Sequence, residues 1–128
     1  MLFVLYGTER LLMDQRLQKL KKEYQCSQEL MNYNSYDVSK EGMKVVLEDV
    51  MTPSFLSEQK MIVINHCDFL TTKKLKKENK DADYLMKCIP YLNETNHLVI
   101  FHPEKTLMKE RKQLNIYVKK LSFLKLIL

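Results

Sequence analysis

Two hydrophobic rhythms alternate along the chain. Residues 2–6, LFVLY, are apolar without interruption and end at Gly7. That is the pattern of a central strand in a parallel sheet, covered on both faces. Thr8 can cap a following helix, with Glu9 favourably placed in its first turn. Within that helix Met13, Leu17, Leu20 and Tyr24 recur at helical spacing and make one apolar stripe. The alternation then continues. Residues 33–38, YNSYDV, predict a second strand, and Ser39 can cap a short helix with Met43, Val46, Leu47 and Val50 on one face. Residues 60–67, KMIVINHC, predict a third strand, and a lysine-rich loop leads to a helix over 82–89 that Pro90 stops. Residues 97–102, HLVIFH, predict a fourth strand ended by Pro103. A helix over 107–121 carries Leu114, Val118 and Leu121, and FLKLIL at 123–128 predicts a fifth strand.

Strands alternating with helices imply right-handed crossovers. The expected fold is therefore α/β, a mostly parallel five-stranded sheet with helices on both faces. The 128 residues suit one domain with a single core. Because the chain stops in an apolar strand, residues 1–128 read as one domain cut from a longer protein.

Composition narrows the class. The chain is 45% apolar and 29% charged, with two glycines and three prolines, which argues against low-complexity disorder. No apolar run approaches the roughly 18 residues of a membrane span, and the opening lacks the charge order and cleavage site of a secretory signal. Cys26, Cys67 and Cys88 are far apart and odd in number, the spacing of buried thiols in a reducing cytoplasm rather than of a metal site. The net charge is +5, with seven Lys or Arg between Lys105 and Lys125 against Glu110 alone. Lys109, Arg111, Lys112, Lys119 and Lys120 form a possible DNA-facing patch there. Neither this cluster nor Lys73, Lys74, Lys76 and Lys77 interleaves basic groups convincingly with the aromatics that single-strand binders stack on, so a solvated face is the simpler reading.

Catalytic chemistry finds little support. A phosphate-binding loop after the first strand needs several glycines, a lysine and a hydroxyl. The turn here reads YGTERLLMD, with one glycine and with Leu11 and Leu12 where phosphate ligands would stand. The third strand ends NHCDF, where His66, Cys67 and Asp68 suggest a nucleophile with a base. Adjacent strand residues point to opposite faces, however, and a turn with Asp68 accepting backbone hydrogen bonds explains them better. His97 and His102 bracket the fourth strand without a third ligand, so neither a metal nor a cofactor is expected.

One segment asks for a different explanation. In MTPSFLSEQK, residues 51–60, Phe55 and Leu56 stand side by side in a turn marked by Thr52, Pro53 and Ser54. Such a pair either packs beneath the edge of the third strand or is held out for a partner.

The serial order of three segments resembles a known family. FVLYGTERLLMDQRLQKLKKEY at 3–24, TPSFLSEQKMIVINHCDFL at 52–70 and HLVIFHPEKTLMKERKQLNIYVKK at 97–120 are similar to the start of the delta subunit of bacterial DNA polymerase III, the clamp-loader subunit that opens the sliding clamp. The resemblance implies an AAA+/RecA-like N-terminal domain without a functional P-loop, followed in the family by two further domains. It also implies an apolar plug, carried here by Phe55 and Leu56 with Pro53 or Thr52 alongside, that enters a pocket on the clamp. Partners would be the sliding clamp, the other loader subunits and DNA within the complex, in a bacterial cytoplasm. The chain would be a non-catalytic accessory subunit of the polymerase holoenzyme. Two alternatives stand beside it: a small basic nucleic-acid-binding module built on Lys105–Lys125, and a nucleotide-binding enzyme with an unusual loop.

Overall fold

The apolar runs of the sequence lie side by side in the computed structural model, which describes residues 1–6, 9–54, 57–67, 69, 80–102 and 125–127. The strands are β1 (Leu2–Tyr6), β2 (Tyr33–Asp37), β3 (Lys60–Asn65), β4 (Asn96–His102) and β5 (Lys125–Ile127). They form one five-stranded sheet in the order β2-β3-β4-β1-β5, with every pairing parallel. The helices are α1 (Arg10–Glu23), α2 (Val38–Glu41), α3 (Met43–Met51) and α4 (Lys80–Cys88), the last running into a 3-10 turn at Ile89–Tyr91.

Side-chain alternation explains why both faces are covered. Leu2 and Val4 of β1, Ile62 and Ile64 of β3, and Leu98 and Ile100 of β4 point to one face, against Met43, Val46 and Val50 of α3 and Leu85 of α4. Phe3, Leu5, Met61, Val63, Val99 and Phe101 point to the other, against Met13 and Leu20 of α1. Strand order accounts for this division. From β1 the chain passes two strands to reach β2 at the edge, then returns by single steps to β3 and β4. Right-handed crossovers in opposite directions place their helices on opposite faces, so α1 covers one side and α3 with α4 the other.

Several local expectations need correction. The N-cap of α1 is Glu9, with no side-chain cap bond, so Glu9 stands before the first turn and not within it; Thr8 lies outside the described residues. Asp37, not Ser39, caps the next helix, its carboxylate accepting from the Ser39 amide and hydroxyl. The helix expected there is two: Gly42, at φ +76°, breaks the chain between α2 and α3 in a region where a side chain is strained. Asp81 of α4 then accepts the Met43 amide at 3.0 Å, closing the start of α3 from a neighbouring element. β3 ends at Asn65 because His66 turns into the left-handed region at φ +57°. α4 ends at Cys88, just ahead of Pro90 as expected, and Pro90 itself sits inside the 3-10 turn, whose start tolerates a missing amide. The helix expected over 107–121 lies outside the described residues.

The three cysteines are buried as expected, none in a disulfide. Burial pushes the Cys26 thiol up to about 11 and the Cys88 thiol up to about 12, which keeps both protonated.

Because Ile64 is fully buried and Leu11 is 70% exposed, truncating them separates core from surface. Ile64→Ala is expected to lower unfolding free energy by about 2–5 kcal/mol and Leu11→Ala by no more than about 0.5 kcal/mol. Urea unfolding followed by circular dichroism measures both, and equal losses would contradict the assigned packing.

Candidate functional site

In a parallel sheet all strands start at one edge and end at the other, which gives this molecule two different ends. Ligands of open α/β folds bind at the carboxyl edge, where neighbouring crossovers diverge; here that is between β1 and β4. Gly7, Thr8 and Asp68, the residues of interest at that end, lie outside the described residues. His66 is exposed and Cys67 buried, so the two do not make a side-by-side pair.

The amino edge is better defined. α3 runs back to it, and the segment 52–59 connects α3 to β3 there. Thr52 is the C-cap of α3, its extended backbone fitting a residue before proline, and its hydroxyl donates to the Glu48 carbonyl at 2.8 Å. Thr52 and Pro53 are exposed and Ser54 is half-buried. Phe55 and Leu56 lie outside the described residues, as does the basic set Lys109, Arg111, Lys112, Lys119 and Lys120. Next to the segment is a pocket of about 270 Å³ between the end of α3 and the turn before β4, lined among others by Met51, Pro53, Ser54 and Tyr91.

Exposed apolar groups gather at this edge. Met51 is 50% exposed, Tyr91 44%, Leu30 50% and Met31 74%. Met51 and Tyr91 flank the pocket, while Leu30 and Met31 lie in the turn that leads into β2. The other large exposed apolar residues among those described, Leu11 and Leu12, belong to the first turn of α1, at the carboxyl edge.

Buried polar side chains secure the connection at both ends. Lys60, the first residue of β3, is 7% exposed. Its ammonium lies 2.7 Å from the Asp49 carboxylate and donates to the carbonyls of Asp49 and Thr52. A cation there satisfies carbonyls that a helix end leaves unpaired and complements its dipole. Asp49 also accepts from the Tyr36 hydroxyl at 2.6 Å and from Asn34 at 2.7 Å. Burial pushes the Asp49 carboxyl up, but the hydrogen bonds from Lys60, Tyr36 and Asn34 outweigh it and hold the group below its usual range.

At the other end Asn32, 2% exposed, reaches Ser57 Oγ at 3.2 Å and the Gln59 carbonyl at 3.0 Å. The Gln59 carboxamide meets His97 Nε2 at 2.6 Å. Since an amide oxygen only accepts, the imidazole carries its proton on Nε2, and Nδ1 accepts from the Met1 amine at 3.1 Å. Tyr24 packs against the His97 ring with centroids 4.3 Å apart. Burial, with the Met1 charge adding to it, lowers His97 to about 4, and burial lowers the Met1 amine to about 5.

Sequence reasoning missed these polar anchors. Lys60 reads as the polar start of an apolar strand and His97 as an isolated histidine, and Asn32 is not singled out at all. The one available signal was a lysine directly abutting MIVI, a position where burial is hard to avoid.

Comparison with known proteins bears on the family and the fold. A family model described as DNA polymerase III, delta subunit, matches residues 3–126. The fold is similar to that of the solved structure of the Bacillus subtilis DNA clamp loader delta protein (YqeN), with a TM-score of 0.78 and 23% sequence identity, covering 98% of this chain and 38% of that one. This chain thus spans well under half the length of that protein, and at that identity the likeness carries the fold. Among curated proteins nothing matches.

The buried histidine and carboxylate set a pH dependence of stability. With His97 lowered to about 4, the unfolded chain takes up a proton from about pH 6.5 downward while the folded chain does not. Stability therefore falls with pH through that window, and the Met1 amine adds a fall of the same sign beginning nearer pH 8. Asp49, held low, stabilises the fold above the ordinary carboxylate range and stops doing so as pH drops through its folded pKa. Urea midpoints measured from pH 8 to pH 3 are expected to fall throughout. His97→Gln should flatten the part between about 6.5 and 4, and Asp49→Asn the part below about 4. A wild-type midpoint that stays level from about pH 6.5 to 4.5 would contradict the buried neutral histidine.

Proposed function

Because the chain belongs to the DNA polymerase III delta-subunit family, we propose that it binds the sliding clamp through the connection between α3 and β3, with Phe55 and Leu56 as the plug and Thr52 and Pro53 beside them. The observation that carries this reading is the place of that connection. It leaves the C-terminus of α3 at the amino edge of the sheet, amid exposed Met51, Tyr91, Leu30 and Met31. Clustered exposed apolar groups mark interaction surfaces more often than isolated ones do.

The mechanism needs no chemistry from this chain. A phenylalanine and a leucine seated in an apolar pocket each contribute about 1.5–3 kcal/mol before the costs of association. If the plug binds a clamp with an opened interface more tightly than a closed ring, binding shifts the ring toward opening by that difference in affinity. ATP hydrolysis is left to other loader subunits, since the YGTERLLMD turn has neither the glycines nor the lysine that hold a triphosphate. The other subunits, DNA within the complex and a cytoplasmic replisome complete the proposed setting. No feature of the described residues favours the basic nucleic-acid module, whose basic residues other than Lys125 lie outside them.

Surface plasmon resonance of the subunit on the sliding clamp of the same organism tests the reading. Phe55→Ser/Leu56→Ser is expected to weaken binding roughly 30-fold or more while circular dichroism stays native. A folded double variant that binds like wild type removes the plug assignment.

A further inference from the structure

Resting on the clamp-binding reading, we propose that Lys60, Asn32 and the Gln59–His97 pair form a clasp that fixes where Phe55 and Leu56 are presented, making them positioning residues for clamp binding. Each acts on one root of the same short connection. Lys60 gathers the Asp49 carboxylate with the carbonyls of Asp49 and Thr52, which pins the last turn of α3 to the first residue of β3. Asn32 gathers Ser57 Oγ and the Gln59 carbonyl, and also the Gln25 carbonyl at 2.9 Å, while its own oxygen accepts the Ser27 amide at 2.9 Å. His97 holds the Gln59 side chain at 2.6 Å. Only residues 53–56 span the interval between the pinned Thr52 and Ser57.

Beyond closing the end of α3, the ion pair itself adds little stability. A buried ion pair seldom outperforms a well-packed apolar residue of similar size, because removing both charges from water costs about as much as their attraction returns. Lys60 heads a strand whose next four residues are apolar and buried, so a methionine would suit the core. What the ammonium supplies is direction, since its acceptors all lie at the end of α3, where the connection begins. Holding both roots in advance lowers the ordering cost that binding would otherwise incur.

The test uses the full-length subunit and the sliding clamp of the same organism, with Lys60→Met at one root and Gln59→Met at the other. Gln59 is half-buried and its backbone bonds to Asn32 and Ser57 are kept, so that variant decides the matter should Lys60→Met not fold. Clamp affinity is expected to fall about three- to tenfold in each, with faster amide hydrogen exchange across the 53–58 segment and unchanged protection at residues 61–64. Lys60→Arg, which keeps a cation at the root, should recover part of the loss. Unchanged clamp affinity in the folded variants overturns the clasp and leaves the plug intact. Loss of protection throughout β3 in Gln59→Met overturns it too, because the effect would then be a general loosening. Phe55→Ser/Leu56→Ser, run alongside, isolates failure of the plug reading: wild-type binding by that variant removes the plug itself.

Discussion

β1, β3 and β4 are apolar on both faces, and much of this molecule follows from that constraint. A strand with no polar face cannot lie at a wetted surface, so each must have neighbours on both sides and helices above and below. β5 takes one edge and β2 the other, where Asn34 and Ser35 are exposed and only Tyr33 is buried. Crossovers of one hand then decide which helix covers which face. They also decide where the connections emerge. Among the described elements the strands end at the carboxyl edge and the helices lead back to the amino edge, so the two ends of the sheet are free to carry different tasks.

Within that frame the buried ammonium of Lys60 is the costliest local choice. Several kcal/mol of lost hydration per ion is the usual penalty for a charge in this position. It is tolerated because a carboxylate and two carbonyls surround it, and because the Asp49 carboxylate is itself satisfied by Tyr36 and Asn34. The resulting network ties together β2, α3 and β3 at one point. Asn96 extends it, its side-chain amide donating to the carbonyls of Val50 and Tyr91 at 3.0 Å each. The end of α3 is thereby linked to the turn before β4 as well, and the amino edge acts as one braced unit.

The strands were legible because their signal is strong and local: LFVLY, MIVI and LVIF are apolar beyond what any surface element would carry. Parallel order followed from the alternation with helices, and the resemblance to the delta-subunit family was borne by segments spread over most of the chain. Helix starts were less legible. Ser39 is a good capping residue by type, yet it does not hold the N-cap position, because Asp37 outcompetes it two residues earlier, and Glu9 stands as the N-cap of α1 where the sequence suggested a place in its first turn. Gly42 marked a break that periodicity through Met43 and Val46 concealed. The polar anchors of the amino edge were illegible for a different reason. Lys60 and Asp49 are eleven residues apart, and Gln59 and His97 thirty-eight. Their pairing exists only once parallel registration has brought the starts of β2, β3 and β4 to one edge.

That last point bears on how the two edges of such a sheet can differ. The carboxyl edge is where such folds hold phosphates, and its first turn here lacks the residues to do so. A first turn without those residues leaves the core unaffected, because the glycines and lysine of a phosphate loop contribute nothing to the packing of β1, β3 and β4. The amino edge, by contrast, must be finished in any case: helix C-termini end there with unpaired carbonyls that need donors. A lysine placed to satisfy them also fixes the connection that leaves the helix. A surface for binding a partner is then a small step from ordinary helix termination, requiring two apolar residues in a connection whose ends are already held. On the proposed reading, the chemistry that closes α3 and the geometry that presents Phe55 and Leu56 are one and the same arrangement.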